Sequence, residues 1–384
     1  MRPHRAIRST GRTSARHATE TARGIARGVL LASLLATLPS GWNSAWPGAS
    51  TGAFSGRASQ GIPTASELQS VDPVLAPAPR HLEFFGFALV DCGFDDPTDG
   101  VQKTNYLDEV AGFTNAAHIC PFDPTEVLAA RLDAMVAQGV RGVLSLDAIL
   151  FETFVDTTRP SGLRTSLRPD FAARWASFLA ANGSHLDQTH LRCISLVDEP
   201  TWNGVPPSEL EQAADLVAAT IAGVPLLVIE AGPAVIDLIV PEVVDWLAFD
   251  HYGVLDPRID PLWQDTLAEL AAKRTRPEQR LVIIAEAQWI PLYAPYAVTP
   301  STMGDVFLAY YDLCASDPRV IGMLAYLWPG GFDDPDQLGA RQLPDGARGK
   351  IRAVGRAVLE GQATPRSPIR PRASVAPEPA QRAR

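Results

Sequence analysis

Only four cysteines occur in this 384-residue chain, and Cys92, Cys120, Cys193 and Cys314 form no Cys-x-x-Cys pair and no Cys/His cluster. A cysteine zinc site of the usual spacing is therefore not there. Long apolar runs are missing too: the stretch Gly28–Leu38 falls short of the ~20 residues a bilayer span requires. Its Arg-rich leader holds no Arg-Arg pair, so a twin-arginine export route has no support. Basic residues are scarce outside the ends. Residues 1–27 contribute +6 and residues 361–384 contribute +4 to a formal net charge of −10, which leaves −20 on the middle. A body that acidic argues against nucleic acid or an anionic membrane as partner and suits neutral or cationic substrates.

The ends read as processing and linking segments. An Arg-rich start followed by a short apolar run fits an export signal over residues 1–45, with a secreted or periplasmic destination and no membrane attachment after cleavage. Residues 46–80 are rich in Pro, Gly, Ser and Ala and read as a linker, and residues 361–384 read as a disordered Pro/Arg-rich tail. In an exported protein Cys92 and Cys120, at the ends of neighbouring predicted strands, are open to two readings: a disulfide or two buried thiols.

Residues 81–360 alternate strand and helix patterns. Eight short, β-branched-rich runs read as buried parallel strands: Phe84–Val90, Thr114–Cys120, Gly142–Leu146, Leu191–Val197, Leu226–Ile229, Trp246–Phe249, Leu281–Ala285 and Val320–Leu327. Asp123-Pro124-Thr125-Glu126 has the residues of a helix start, and Gly139 those of its stop. Further helices are predicted at Asp170–Ala181, Ser208–Ala222, Pro261–Arg274, Thr302–Cys314 and Ala347–Glu360. Eight such alternations predict an α/β fold, a single-domain (β/α)8 TIM barrel. A doubly wound sheet is disfavoured because the first strand runs into Asp91-Cys92-Gly93-Phe94-Asp95-Asp96, whose acids would repel a phosphate.

Polar and aromatic residues gather where these strands end, which in a barrel is one common mouth. Asp91 ends the first strand, His118 lies in the second, and Asp147 ends the third. Asp198-Glu199-Pro200 ends the fourth, Glu230 the fifth and Asp250-His251-Tyr252 the sixth. Glu286, followed by Trp289, ends the seventh, and Leu327-Trp328-Pro329 the eighth. Two carboxyl groups converging on a cleft are the minimum equipment for glycosidic hydrolysis.

In the order of these motifs the chain resembles the clan A glycoside hydrolases, barrel enzymes whose acid/base Glu closes strand four in Asn-Glu-Pro and whose nucleophile Glu closes strand seven. The resemblance implies Glu199 as acid/base, Glu286 as nucleophile, Tyr252 as the partner that orients Glu286, and Trp328 as a platform for a sugar ring. Asp91, Asp147, Asp198, His251 and Trp289 join them as candidate substrate-binding residues, with a carbohydrate as partner and neither cofactor nor metal. Asp198 departs from the clan's Asn: it accepts but cannot donate unless protonated. The Arg the clan often carries near strand two is not found, and His118 is the nearest polar residue. Two other readings stay open. Asp147, Glu230, Asp250, His251 and Glu286 could hold a divalent cation in a metal-dependent barrel. A barrel that binds glycan without turnover is the third. The segments Phe151–Pro169 and Gly330–Asp345 are polar and turn-rich and read as specificity loops.

Overall fold

The computed structural model describes residues 72–363. The predicted export signal, residues 46–71 of the predicted linker and the tail from residue 364 lie outside them.

Eight parallel strands close a barrel. They are β1 (Phe84–Asp91), β2 (Ala116–Ile119), β3 (Arg141–Ser145), β6 (Leu191–Asp198), β7 (Leu226–Ala231), β8 (Trp246–Asp250), β9 (Arg280–Glu286) and β10 (Val320–Tyr326). Between β3 and β6 the chain inserts an antiparallel hairpin, β4 (Phe151–Val155) and β5 (Leu163–Leu167), that takes no part in the ring. Every predicted strand is therefore present, and each ring strand is almost wholly buried. Burial on both faces explains their unbroken apolar runs, since helices cover the outside and side chains fill the inside.

The helices are α1 (Leu107–Val110), α2 (Ala129–Ala137), α3 (Asp147–Leu150), α4 (Phe171–Asn182), α5 (Pro207–Thr220), α6 (Pro261–Ala272), α7 (Met303–Ser316) and α8 (Asp345–Ala363). After β7 a 3-10 turn, Gly232–Asp237, stands in place of a full helix. The predicted start of α2 is displaced. Asp123 accepts from the Thr125 N–H and hydroxyl and so closes a local turn. The helix opens only at Ala129. An Asp two residues before a Thr can cap a turn as readily as a helix. Gly139, at φ +76°, supplies the left-handed stop as expected.

At the end where strands begin, Phe84 fills the barrel. Its ring stacks on Trp246 at 5.3 Å, and a Cβ on Gly322 would lie 2.1 Å from it. Glycine at 322 is what lets β10 pass the Phe84 ring.

Residues 72–80, placed by composition in the linker, lie against the last helix. Asp72 pairs with Arg352 and Arg356 of α8, both at 2.9 Å, and Ala78 N–H donates to Ala357 O. Cys92 and Cys120 form a disulfide across the ends of β1 and β2, while Cys193 and Cys314 are buried free thiols. Among the described residues no helix is long and apolar enough to cross a membrane.

Candidate active site

Strand β6 delivers its carboxylate by a backbone turn. The strand is buried through Val197, Asp198 is open to solvent, and Glu199 is 4% exposed. Glu199 takes φ +46°, a left-handed conformation that a side chain with a Cβ rarely adopts and that costs roughly 1–2 kcal/mol. Its N–H still bonds Ile229 O on β7 at 2.9 Å, so the turn is held by the ladder. Such strain persists where surrounding structure over-determines it, commonly at functional sites. Oε2 of Glu199 is buried and receives no N–H or O–H donor.

Carboxyl groups surround Glu199. Asp250, ending β8, hydrogen-bonds to it and is itself pushed up to about 7, by burial first and by Glu230 next. Burial, then Asp250, Asp198 and Glu230, hold Glu199 well above the usual carboxylate range. Although solvent reaches Asp198, the packed walls of the cleft push its carboxyl up too, followed by Asp250, Asp147, Glu230 and Asp333. Crowded acids in a dry setting keep protons that exposed acids would lose.

Two of these acids brace the Glu199 loop. Glu230 is fully buried and accepts from the N–H groups of Thr201 (2.8 Å), Trp202 (3.1 Å) and Ala231 (3.0 Å). Asp147 accepts from Asp198 N–H at 2.8 Å and from the Ser145 hydroxyl. Both fix the backbone on either side of Glu199.

Strands β8 and β10 add a pair of tyrosines. The Tyr252 and Tyr326 rings lie 5.1 Å apart. Tyr252 donates to Asp250 Oδ2 at 3.3 Å, and Tyr326 donates to Asp333 Oδ2 at 2.7 Å. Asp333 is raised to about 6, chiefly by burial.

Glu286 ends β9 in register with Tyr326. It is 1% exposed. The Tyr293 hydroxyl donates to its Oε1, and Gly253 N–H donates to its Oε2 at 2.8 Å. Burial raises it to about 7 against these stabilising bonds. The expected orienting partner was Tyr252, which instead serves Asp250; Tyr293, on the turn after β9, takes that role. Glu199 and Glu286 thus hold separate sets of partners at the same end of the barrel.

Other expected site residues are committed elsewhere. Asp91 pairs with Arg131 of α2 at 2.8 Å, and Arg131 also caps the Asp91 carbonyl at 2.7 Å. His251 packs on Gly232, and burial lowers its imidazole below the usual histidine range. Trp289 donates to Val298 O at 3.0 Å and bridges to Leu338. Trp328 is 6% exposed, sits edge-on to Phe87 at 4.8 Å and donates to Glu109 Oε2 at 2.7 Å. That packing buries most of the indole, and Tyr326 is the aromatic of β10 set among the cleft acids. Asp147, Glu230, Asp250, His251 and Glu286 do not bring three ligand atoms together, so the geometry gives a cation no cage from that set. Tyr326 and Asp333 went unread in the sequence because one looks like strand core and the other like loop.

No family model matches the sequence, and no curated protein matches it. Solved structures do match in fold. A glucosidase from Croceicoccus marinus superposes at TM-score 0.50 and 12% identity over 74% of this chain and 69% of its own. A GH2 beta-galacturonidase from Eisenbergiella tayi, bound to galacturonate, gives TM-score 0.50 at 10% identity over 73% of this chain and 51% of its own. In fold the chain is a closed (β/α)8 barrel similar to these two structures.

Proposed function

We propose that this chain is an exported glycoside hydrolase that cleaves O-glycosidic bonds of an oligo- or polysaccharide by a retaining, two-carboxylate route. The buried Glu199 carboxyl, strained at its backbone and held well above the usual carboxylate range by burial and neighbouring acids, carries the reading: it is an acid with a raised hold on its proton and with no donor to its Oε2. In the first step Glu286 attacks the anomeric carbon while Glu199 protonates the departing oxygen. In the second, Glu199 takes a proton from water, which displaces Glu286 from the sugar. Glu230 and Asp147 keep the Glu199 loop in place, and Tyr293 with Gly253 N–H keeps Glu286 in place. An acidic cleft favours neutral or cationic sugars over uronates, because an added anion would meet several carboxyls at close range. The Arg-rich leader and the Cys92–Cys120 disulfide support export to an oxidising compartment.

The test is turnover of a panel of aryl β-glycosides by the wild type, Glu199→Gln and Glu286→Gln. Loss of at least a thousandfold in Glu286→Gln with unchanged far-UV circular dichroism supports the assignment, as does labelling of Glu286 by a 2-fluoro glycoside. Unchanged turnover in that variant would sink it.

A further inference from the structure

A second cluster lies at the opposite end of the barrel, where strands begin. Asp133 stands on α2, and His185 and His190 stand on the segment between α4 and β6. One ligand atom from each lies within 4.8 Å of the others. We propose that Asp133, His185 and His190 form a zinc-binding site that ties α2 to this segment.

The distances argue for a cation between the groups. Nε2 of His190 is 3.4 Å from Asp133 Oδ1, and Nε2 of His185 is 3.6 Å from the same oxygen. Both exceed the 2.7–3.2 Å of an N–H···O hydrogen bond. They approach the edge of a tetrahedron around Zn²⁺, about 3.3–3.4 Å for metal–ligand bonds of ~2.0–2.1 Å. The far side of each ring is also engaged. Asp187 Oδ1 lies 2.9 Å from Nδ1 of His190, and Ser184 Oγ lies 3.0 Å from Nδ1 of His185. A carboxylate oxygen such as Asp187 Oδ1 accepts and a ring N–H donates. Nδ1 of His190 is therefore the donor. With Nδ1 turned to Asp187, Nε2 is the ring nitrogen that faces the Asp133 carboxylate oxygen, an arrangement a divalent ion would satisfy. A carboxylate behind a ligating histidine is the usual outer shell of zinc histidines. Two imidazoles and one carboxylate leave a fourth position, and Asp133, with its side chain 63% exposed, leaves it open to water.

The experiment is calorimetric titration of ZnCl₂ into the full chain after chelator treatment and dialysis, repeated with His185→Ala/His190→Ala and with Asp187→Asn. Expected are one equivalent bound by the wild type, at least a hundredfold weaker binding in the double variant, and about tenfold weaker binding in Asp187→Asn. Substituting Co²⁺ should give the intense visible bands of a tetrahedral site in the wild type alone. Unchanged affinity in the double variant, with its circular dichroism equal to that of chelated wild type, overturns the site. No binding at micromolar Zn²⁺ does the same.

Discussion

The hydroxyl of Tyr293 donates to Oε1 of Glu286, while the other carboxylate oxygen takes the N–H of Gly253. Both bonds favour the ionised form that a nucleophile needs, and they oppose the burial that lifts Glu286 to about 7. Removing one must raise it further. Tyr293→Phe is expected to move the acid limb of the kcat/KM profile to higher pH and to lower turnover at neutral pH roughly tenfold, the size of a lost bond to a charged group. The loss should shrink above pH 8. A limb that does not move would show that Tyr293 only packs.

Asp250 acts on the other glutamate. Its negative charge is the largest charge effect raising Glu199. Asp250→Asn removes that charge, so Glu199 should release its proton at lower pH. The alkaline limb of kcat then shifts downward, and the pH optimum moves toward acid. Stopped assays between pH 4 and 9 read this directly; an unchanged alkaline limb would separate Asp250 from the acid/base group.

The same acids set a pH dependence of stability. Asp250 and Glu286 sit at about 7 and Asp333 at about 6 when folded, against about 4 in an unfolded chain. A raised folded value means stability present in full below about pH 4 and lost as pH climbs through 6 and 7. Arginine-paired Asp72 works in the opposite direction, but only in strong acid. The melting temperature should therefore fall by at least a few degrees from pH 5 to pH 8. In Asp333→Asn the slope should flatten.

The disulfide between Cys92 and Cys120 closes a loop of sequence separation 28. Loop entropy alone assigns it about 3–4 kcal/mol. Cys92→Ser/Cys120→Ser is expected to unfold at lower urea with that loss of stability. Reductant should do the same to the wild type and nothing to the variant.

Much of this was legible beforehand, for identifiable reasons. Buried parallel strands must be apolar throughout, so all eight ring strands stood out, and Asp198-Glu199-Pro200 marked its strand end. The β4–β5 hairpin was hidden because alternation in Phe151-Glu152-Thr153-Phe154-Val155 is diluted by polar neighbours, although Arg159-Pro160-Ser161-Gly162 carries the turn. Side-chain partnerships were harder still. Whether Tyr252 or Tyr293 reaches Glu286 depends on how two loops fold back after their strands, and no spacing encodes that. Trp328 looked like a platform because a Trp near the end of strand eight is a familiar sign, but Glu109 on α1 holds its indole.

That hairpin stands outside the ring, which passes directly from β3 to β6. It is fastened instead to the chain that follows Glu199: Thr165 N–H bonds Asn203 O at 2.8 Å, Leu167 N–H bonds Glu209 Oε2 at 2.7 Å, and the Arg159 guanidinium lies over Gly204, where a Cβ would collide with it. Its outer strand residues Phe154 and Val155 stay exposed. Selection can therefore lengthen, trim or recolour this flap without disturbing a single rung of the barrel, while each change is felt a few residues from Glu199. The architecture separates what must stay constant from what is free to drift, and it makes the hairpin the natural graft point for anyone wishing to retarget the cleft.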